Sequence, residues 1–186
     1  MKAVILHGTA NNHTGNWFPW LKRELEKLSY EVWVPDLPEA EKPDTKRYTN
    51  FLLDSGWDFQ DNLVIGHSAG AVEVLALLEA LPANVKINTA IMVAVFSGSL
   101  GWEELAAFDD FKPDFTKIKT KAKDFIVVHS DNDPHCPLEG AVDIADRLNA
   151  QMKIFHGMGH FSVNNGGDDF KKFPELLDII KAQVKV

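Results

Sequence analysis

The pentapeptide Gly66-His67-Ser68-Ala69-Gly70 contains residue types that could carry out nucleophilic chemistry. It follows a short apolar run, Leu63-Val64-Ile65, and precedes a segment of helical period that begins near Ala71. A serine flanked by glycines between a strand and a helix is typical of a nucleophile elbow, where small neighbours allow a tight turn to lift the hydroxyl above the sheet. The helix that follows offers amide donors and a dipole that favour an oxyanion. The sequence therefore predicts Ser68 as a nucleophile.

A serine hydroxyl needs a base to take its proton, and the base needs an acid to orient it. With an elbow of this kind the chain order is serine, acid, histidine, each in a loop after a strand. His160 lies in Gly157-Met158-Gly159-His160-Phe161, beyond a short apolar run and before the last helical segment. His156 stands at the end of that run, where we expect its side chain to pack. We therefore predict His160 as the base.

The acid is expected in residues 129–137, directly after the apolar run Phe125–Val128. Asp133 precedes a proline in a rigid loop, whereas Asp131 could instead be a turn residue. The residues by themselves leave both aspartates open. A metal site in this segment would require alternating residues of one loop to converge, with no obvious further ligand, from the set His129, Asp131, Asp133 and His135. We expect no metal ion and no cofactor.

The first apolar run ends in His7-Gly8-Thr9-Ala10. A His-Gly turn at this place resembles the loop that donates one backbone amide to an oxyanion hole. We expect the two donors to be the amide of Ala69 and that of either Thr9 or Ala10. His7 itself fits a structural role better than that of a second base.

Short apolar runs alternate with longer amphipathic segments along the chain. Continuous apolar runs of this length suit strands that are buried on both faces of a parallel sheet. The runs are Ala3–Leu6, Glu31–Val34, Leu63–Ile65, Ala90–Val95, Phe125–Val128 and Met152–Phe155, and the helical segments are 17–28, 71–81, 138–148 and 173–184. This alternation predicts a doubly wound α/β sheet, in one domain that spans residues 1–186.

Residues 97–119 do not fit the alternation. They are rich in aromatic side chains and carry acids at 103, 104, 109 and 110, which indicates a short lid-like excursion. Aromatic side chains of this segment and of the first helix could wall a substrate pocket, although aromatic stripes usually belong to the core. The candidate pocket residues are Trp17, His67, Trp102 and Phe108.

Composition excludes several classes of function. The chain has 186 residues, and 19 Lys and Arg against 27 Asp and Glu give a net charge of −8. This balance argues against a nucleic-acid binder, and the lack of basic runs argues against an anionic membrane surface. A single cysteine, Cys136, cannot form an internal disulfide. The N-terminus has no signal-peptide pattern, so we expect a cytoplasmic protein acting on a small-molecule substrate.

Taken together, these motifs resemble the α/β-hydrolase superfamily. Within it they resemble the small serine hydrolases named after retinoblastoma-binding protein nine, with YdeN-like bacterial members. The resemblance covers nearly the whole chain and rests on Val4–Gly8, Trp17–Leu21, Pro35–Pro38, the elbow, Asp133-Pro134 and Gly159–Phe161. It implies Ser68 as nucleophile, Asp133 rather than Asp131 as acid, and His160 as base. It also implies a three-layer α/β/α sandwich around a six-stranded, mostly parallel sheet.

The resemblance further implies a serine hydrolase with a Ser-His-Asp triad, of the carboxylesterase kind. We expect it to cleave small to medium carboxylic esters, thioesters or short amides through an acyl-enzyme on Ser68. A non-catalytic partner-binding module and an acyltransferase are the alternatives. The Leu-x-Cys-x-Glu motif that gives the family its retinoblastoma-binding name is absent, because the only cysteine lies in Pro134-His135-Cys136-Pro137-Leu138. We therefore expect no partner of that type.

Overall fold

A computed structural model describes residues 1–184 and has one six-stranded sheet. The strands are β1 (Lys2–Leu6), β2 (Glu31–Trp33), β3 (Leu63–His67), β4 (Ile87–Val93), β5 (Ala122–Ser130) and β6 (Gln151–Phe155). Their order across the sheet is β2-β1-β3-β4-β5-β6, and every neighbouring pair is parallel. The structure confirms the predicted α/β fold, with a sheet that is parallel throughout.

Helices cover both faces of this sheet. They are α1 (Phe18–Lys27), α2 (Thr45–Asp54), α3 (Ala69–Ala80), α4 (Phe115–Ile118), α5 (Leu138–Leu148), α6 (Val163–Gly166) and α7 (Pro174–Val184). Alternate residues of β1 enter two separate cores: Val4 and Leu6 pack with side chains of α2, α3 and α5, and Ala3 and Ile5 with those of α1 and α7. The three layers predicted from the alternating pattern are therefore present.

Helix α2 was not among the predicted elements. Asp44 caps its N-terminus by accepting a hydrogen bond from the amide of Arg47 at 2.8 Å. Only Tyr48, Thr49 and Leu52 are buried in it. Three buried positions in ten residues give too weak an apolar period to reveal the helix, and the aspartate cap after Pro43 was the available signal.

Two strands begin earlier than predicted. β4 begins at Ile87 and β5 at Ala122, each three residues before the apolar run used to predict it. In β5 the added part includes Lys123 and Asp124, which are both exposed. Polar residues at the uncovered start of a strand interrupt the apolar run without ending the hydrogen-bonded pairing.

The segment 97–119 contains two short helical pieces, a 3₁₀ helix over Glu103–Asp109 and α4. Within this segment the side chains of Leu105 and Phe108 are buried, and the acids at 103, 104, 109 and 110 are exposed. The role of this segment as a lid stays a prediction. The assignment of residues 1–186 to one domain also stays a prediction, and residues 185–186 lie outside the described part. Within the described part, no helix is both long and apolar enough to cross a lipid bilayer.

The two glycines of the elbow allow α3 to pack against the ends of β1 and β3. A Cβ atom at Gly70 would overlap the carbonyl oxygens of Leu6 and His7, and one at Gly66 would overlap the carbonyl of Gly70. These contacts are with backbone atoms, which cannot swing away as a flexible side chain can. Small residues at both positions are therefore a requirement of the turn that carries Ser68.

Gly70→Ala is expected to lower the free energy of unfolding by about 1–3 kcal/mol or more, because the added methyl group must displace the end of β1. Urea unfolding followed by circular dichroism measures the change. Gly140→Ala in α5 is the matched control, since its nearest atom lies 3.8 Å away and alanine favours a helix by up to about 1 kcal/mol. Equal stability of the two variants would contradict the packing argument.

Candidate active site

Ser68 lies in the turn between β3 and α3 with a backbone that only a few residues tolerate. Its φ is 56° and its ψ is −121°, a left-handed conformation that is strained for a residue with a Cβ. The turn is held by the Ser68 amide, which donates to the carbonyl of Val93 at 2.9 Å, and by the Ser68 carbonyl, which accepts from the amide of Ala71 at 2.8 Å. The structure thus places Ser68 where a nucleophile elbow requires it.

His160 and Asp133 form a buried pair. The His160 Nδ1 atom lies 2.8 Å from Asp133 Oδ2, and the aspartate side chain is fully buried. The other carboxylate oxygen of Asp133 accepts from the amides of His135 at 2.9 Å and Cys136 at 3.0 Å. Because a carboxylate only accepts, Nδ1 of His160 carries the hydrogen and Nε2 is free to take a proton.

Opposing effects set the pKa of Asp133. Burial raises the pKa of this carboxyl, but its hydrogen bond to His160, the charge of that ring and the amides of Cys136 and His135 together outweigh burial. The net result is a pKa below the ordinary value for aspartate. Asp133 is therefore ionised around neutral pH and can stabilise a positive charge on His160.

Asp131 is occupied elsewhere. Its carboxylate accepts from the amide of Gly157 at 2.9 Å and makes a short contact with Nδ1 of His156. The His156 side chain is 96% exposed, so the expectation that it packs is wrong. The reason is that β6 is an edge strand, whose end is covered on one side only. The structure brings Asp133, and not Asp131, to His160.

A series of hydrogen bonds joins the loop after β5 to the loop after β6. Ser130 Oγ accepts from the amide of Met158 at 2.9 Å, and Asn132 Oδ1 accepts from the amide of Gly159 at 2.8 Å. Together with the bonds of Asp131 and Asp133, these contacts show that four consecutive side chains, residues 130–133, each hydrogen-bond to the loop after β6. Sequence reasoning missed this role of Ser130 and Asn132, although the short polar run after a strand was a signal.

Two residues predicted for the substrate pocket, His67 and Trp17, hydrogen-bond to the loop of His160. His67 Nε2 donates to the carbonyl of His160 at 2.8 Å, and Trp17 Nε1 donates to that of Phe161 at 3.1 Å. Trp17 is fully buried and does not line the cavity at Ser68, which corrects its predicted role. Burial is the main cause that lowers the pKa of His67 to about 3, so this ring is neutral.

Ser68, His160 and His67 line one cavity of about 220 Å³. Trp102 also lines it, as predicted for a pocket residue, but Phe108 does not. Phe108 turns away from Ser68 to pack edge-on against Phe96 at 5.6 Å and lines a different cavity. The remaining lining residues at Ser68 include Leu100, Leu105, Asn11, Asn16, His135, Cys136, Ser162, Asn164 and Asn165.

The amides of Ala69 and Thr9 are the available oxyanion donors. Neither has a hydrogen-bond acceptor among residues 1–184, and Ala69 is the first residue of α3. The amide of Ala10, by contrast, donates to the carbonyl of Ala40 at 2.8 Å, so Ala10 is removed from the predicted pair. A Cβ atom at Gly8 would lie 2.9 Å from Cβ of Ser68, which shows how closely the loop after β1 approaches the serine.

His7 fixes that loop. Its Nδ1 donates to the carbonyl of Gly8 at 2.9 Å, and its Nε2 accepts from the amide of Leu37 at 2.8 Å. Both ring nitrogens are thus used, and burial lowers the pKa of His7. The ring supports the loop after β1 and has no nitrogen left to act as a base.

A family model described as serine hydrolase matches residues 3–181. The chain belongs to the serine hydrolase family. It is 28% identical over 184 residues to the YdeN protein of Bacillus subtilis (strain 168), which covers 96% of this chain and 94% of that protein. It is 26% identical over 188 residues to serine hydrolase RBBP9 of Rattus norvegicus, with 98% and 95% covered.

The crystal structure of the ydeN gene product from B. subtilis has the same fold. It superposes with a TM-score of 0.91 at 24% identity and covers 100% of this chain and 99% of that one. The family and the fold confirm the resemblance drawn from the elbow, the segment Trp17–Leu21 and the loops after the strands. This serine hydrolase therefore has the α/β-hydrolase architecture that the motifs indicated.

Three metal-ligating side chains of the hydrolase come close together. One donor atom each from Asp133, Cys136 and His160 lies within 4.8 Å of the others. Both oxygens of Asp133 already accept hydrogen bonds, and burial raises the pKa of the Cys136 thiol, which keeps it protonated. A metal ion at this place would need Cys136 as a thiolate and free lone pairs on the Asp133 oxygens. The three side chains therefore suit proton transfer better than metal binding.

Glu73 is a buried carboxyl of the hydrolase on α3, five residues beyond the serine. The hydroxyl of Thr49 donates to its Oε1 at 2.7 Å, while its Oε2 is buried without a partner among the described residues. Burial raises the pKa of Glu73 well above the ordinary value. The helix that follows the elbow thus contains a carboxyl that stays protonated in the folded state.

Glu73→Gln is expected to remove a pH dependence of stability. In the unfolded chain the carboxyl ionises above roughly pH 4.3, whereas the folded chain keeps its proton. The wild type therefore loses stability as the pH rises from that value toward the raised folded pKa. The stability advantage of the glutamine variant should grow over this range in urea unfolding. Glu104→Gln at an exposed site is the control, and parallel curves for both variants would contradict the assignment.

Proposed function

We propose that this serine hydrolase cleaves small to medium carboxylic esters, thioesters or short amides through an acyl-enzyme on Ser68. One arrangement supports the proposal. Oδ2 of the buried Asp133 lies 2.8 Å from Nδ1 of His160, and His160 lines the same cavity as Ser68, whose backbone has a positive φ. A nucleophile, a base and an orienting acid in this order are the parts that acyl transfer needs. Membership of the serine hydrolase family supports the same chemistry.

In the first half of the reaction, Nε2 of His160 takes the proton of Ser68 as Oγ bonds to the substrate carbonyl carbon. The carbonyl oxygen gains the negative charge and is stabilised by the free amides of Ala69 and Thr9. The bond to the leaving group then breaks, and His160 returns the proton to that group. An acyl ester on Ser68 remains.

In the second half, water replaces the leaving group. His160 removes one proton from water, the oxygen attacks the acyl ester, and the proton returns to Ser68 as the carboxylic acid leaves. Asp133 stays ionised and holds the His160 imidazolium throughout. His67 stays neutral beside it, since its pKa is about 3, so no second positive charge opposes the imidazolium.

The size and lining of the cavity support a small neutral substrate. The cavity holds about 220 Å³, and none of the described side chains that line it is an Asp, Glu, Lys or Arg. Drug-sized ligand sites are larger, roughly 300–1,000 Å³. The exposed acids of the segment 97–119 lie outside the cavity lining and do not alter this polarity.

A fluorophosphonate probe is expected to label the wild type and not Ser68→Ala, because only an activated serine attacks the phosphorus centre. Hydrolysis of p-nitrophenyl acetate should fall on the order of 10⁴-fold or more in the same variant. Ser55→Ala, at the end of α2 and away from the cavity, should label like the wild type. Folded wild-type protein without Ser68-dependent labelling would favour the partner-binding module instead. Transfer of the acyl group to an added alcohol in preference to water would favour an acyltransferase.

Asp133→Asn is expected to lower kcat by about a thousandfold or more, because an amide in this place no longer fixes the tautomer of His160. Asp131→Asn should stay within about tenfold of the wild type, since an exposed ion pair contributes roughly 0.2–1 kcal/mol and an asparagine oxygen can still accept from Gly157. Steady-state kinetics on one ester compares the two. The reverse pattern would make Asp131 the acid.

A further inference from the structure

The cavity at Ser68 has one polar wall, which belongs to the loop of His160 itself. Ser162, Asn164 and Asn165 follow His160 in the chain and line the cavity. Asn16 joins them, because its Oδ1 accepts from the amide of Val163 at 3.1 Å while its Nδ2 is buried without a partner among the described residues. Since His160 must hand its proton to the leaving group, the leaving group lies on this polar side.

Another part of the lining is apolar and comes from the segment that follows β4. Phe96, Leu100, Trp102 and Leu105 line the cavity there, and they are the apolar side chains that this segment contributes. An acyl chain is apolar and gains from leaving water. These side chains therefore offer the acyl group of a substrate at Ser68 an apolar contact surface.

Phe96 separates this wall from a second cavity of about 190 Å³. Its side chain is 1% exposed and lines both cavities, and no other described residue lines both. The second cavity lies between the 97–119 segment, α3 and α5. Its apolar lining includes Val72, Leu75, Phe108, Phe111, Phe115 and Ile144, and the charged side chains of Lys112, Asp143 and Arg147 line it as well. The Phe108 ring packs edge-on against the Phe96 ring, with 5.6 Å between the ring centroids.

We propose that Phe96 limits the acyl group to short chains, and that its ring blocks access from Ser68 to the second cavity, which is a subsite for an unbranched apolar acyl chain. The inference rests on the proposed function of Ser68. In the wild type the acyl chain ends at the Phe96 ring, so acetyl and butanoyl groups fit and longer chains do not. Without the ring the two cavities join, and the apolar lining of the second receives the added methylene groups.

The test compares kcat/KM for p-nitrophenyl acetate, butanoate, hexanoate and octanoate in the wild type, Phe96→Ala and Phe59→Ala. A single methylene in an apolar pocket changes kcat/KM by roughly 10–200-fold. The ratio of octanoate to butanoate is therefore expected to rise at least about tenfold in Phe96→Ala. Phe59→Ala is the matched control, because it removes a buried ring of the same type that lines neither cavity, and its ratio should stay at the wild-type value.

Each outcome decides between the two proposals. Ser68-dependent hydrolysis with an unchanged ratio in Phe96→Ala overturns the role of Phe96 and leaves the proposed function standing. Equal shifts in Phe96→Ala and Phe59→Ala also overturn it, since general loosening of the core then explains the change. Absence of any Ser68-dependent hydrolysis overturns both. Phe96→Leu, which keeps the site filled by a smaller side chain, is the second variant if the alanine form does not fold, and it should shift the optimum toward hexanoate.

Discussion

The contact between the loops after β5 and β6 is the interaction on which the candidate site depends. Ser130, Asp131, Asn132 and Asp133 are consecutive, and each accepts a hydrogen bond from the loop that carries His160. The sheet makes this possible, because β5 and β6 are parallel neighbours whose last paired residues, Ser130 and Phe155, end at the same edge. Three of these bonds fix the backbone of the second loop, so the fourth reaches His160 in a defined place.

The same loop is also held by His67, the last residue of β3, and by Trp17, which precedes α1. His67 donates to the carbonyl of His160, and Trp17 donates to that of Phe161. His67 directly precedes Ser68, so one residue links the position of the base to that of the nucleophile. Its low pKa keeps the link uncharged, which matters because a buried positive charge here would oppose the protonation of His160.

The elbow, the order of the three site residues and the parallel sheet could be predicted because their signals are local. Gly66 and Gly70 are required by backbone contacts within a few residues of Ser68 or at the end of the neighbouring strand. The errors concern contacts between distant parts of the chain. The amide of Ala10 cannot act as an oxyanion donor because it bonds to the carbonyl of Ala40. The indole of Trp17 bonds to the carbonyl of Phe161 and does not line the substrate cavity. A local sequence pattern does not indicate which distant residue will be the hydrogen-bond partner of a given amide or side chain.

The candidate catalytic residues and the walls of the cavity come from different parts of the fold. This explains why the pocket residues were harder to predict from the sequence than the positions of Ser68, Asp133 and His160. Ser68, Asp133 and His160 follow strands of one sheet, so parallel pairing alone brings them to one edge. The walls of the cavity come from segments without such a constraint, the residues after β4 and those after His160. Their side chains can change without moving the reacting atoms. The proposed role of Phe96 follows this division: wall positions set the substrate range, whereas the sheet brings Ser68, Asp133 and His160 together.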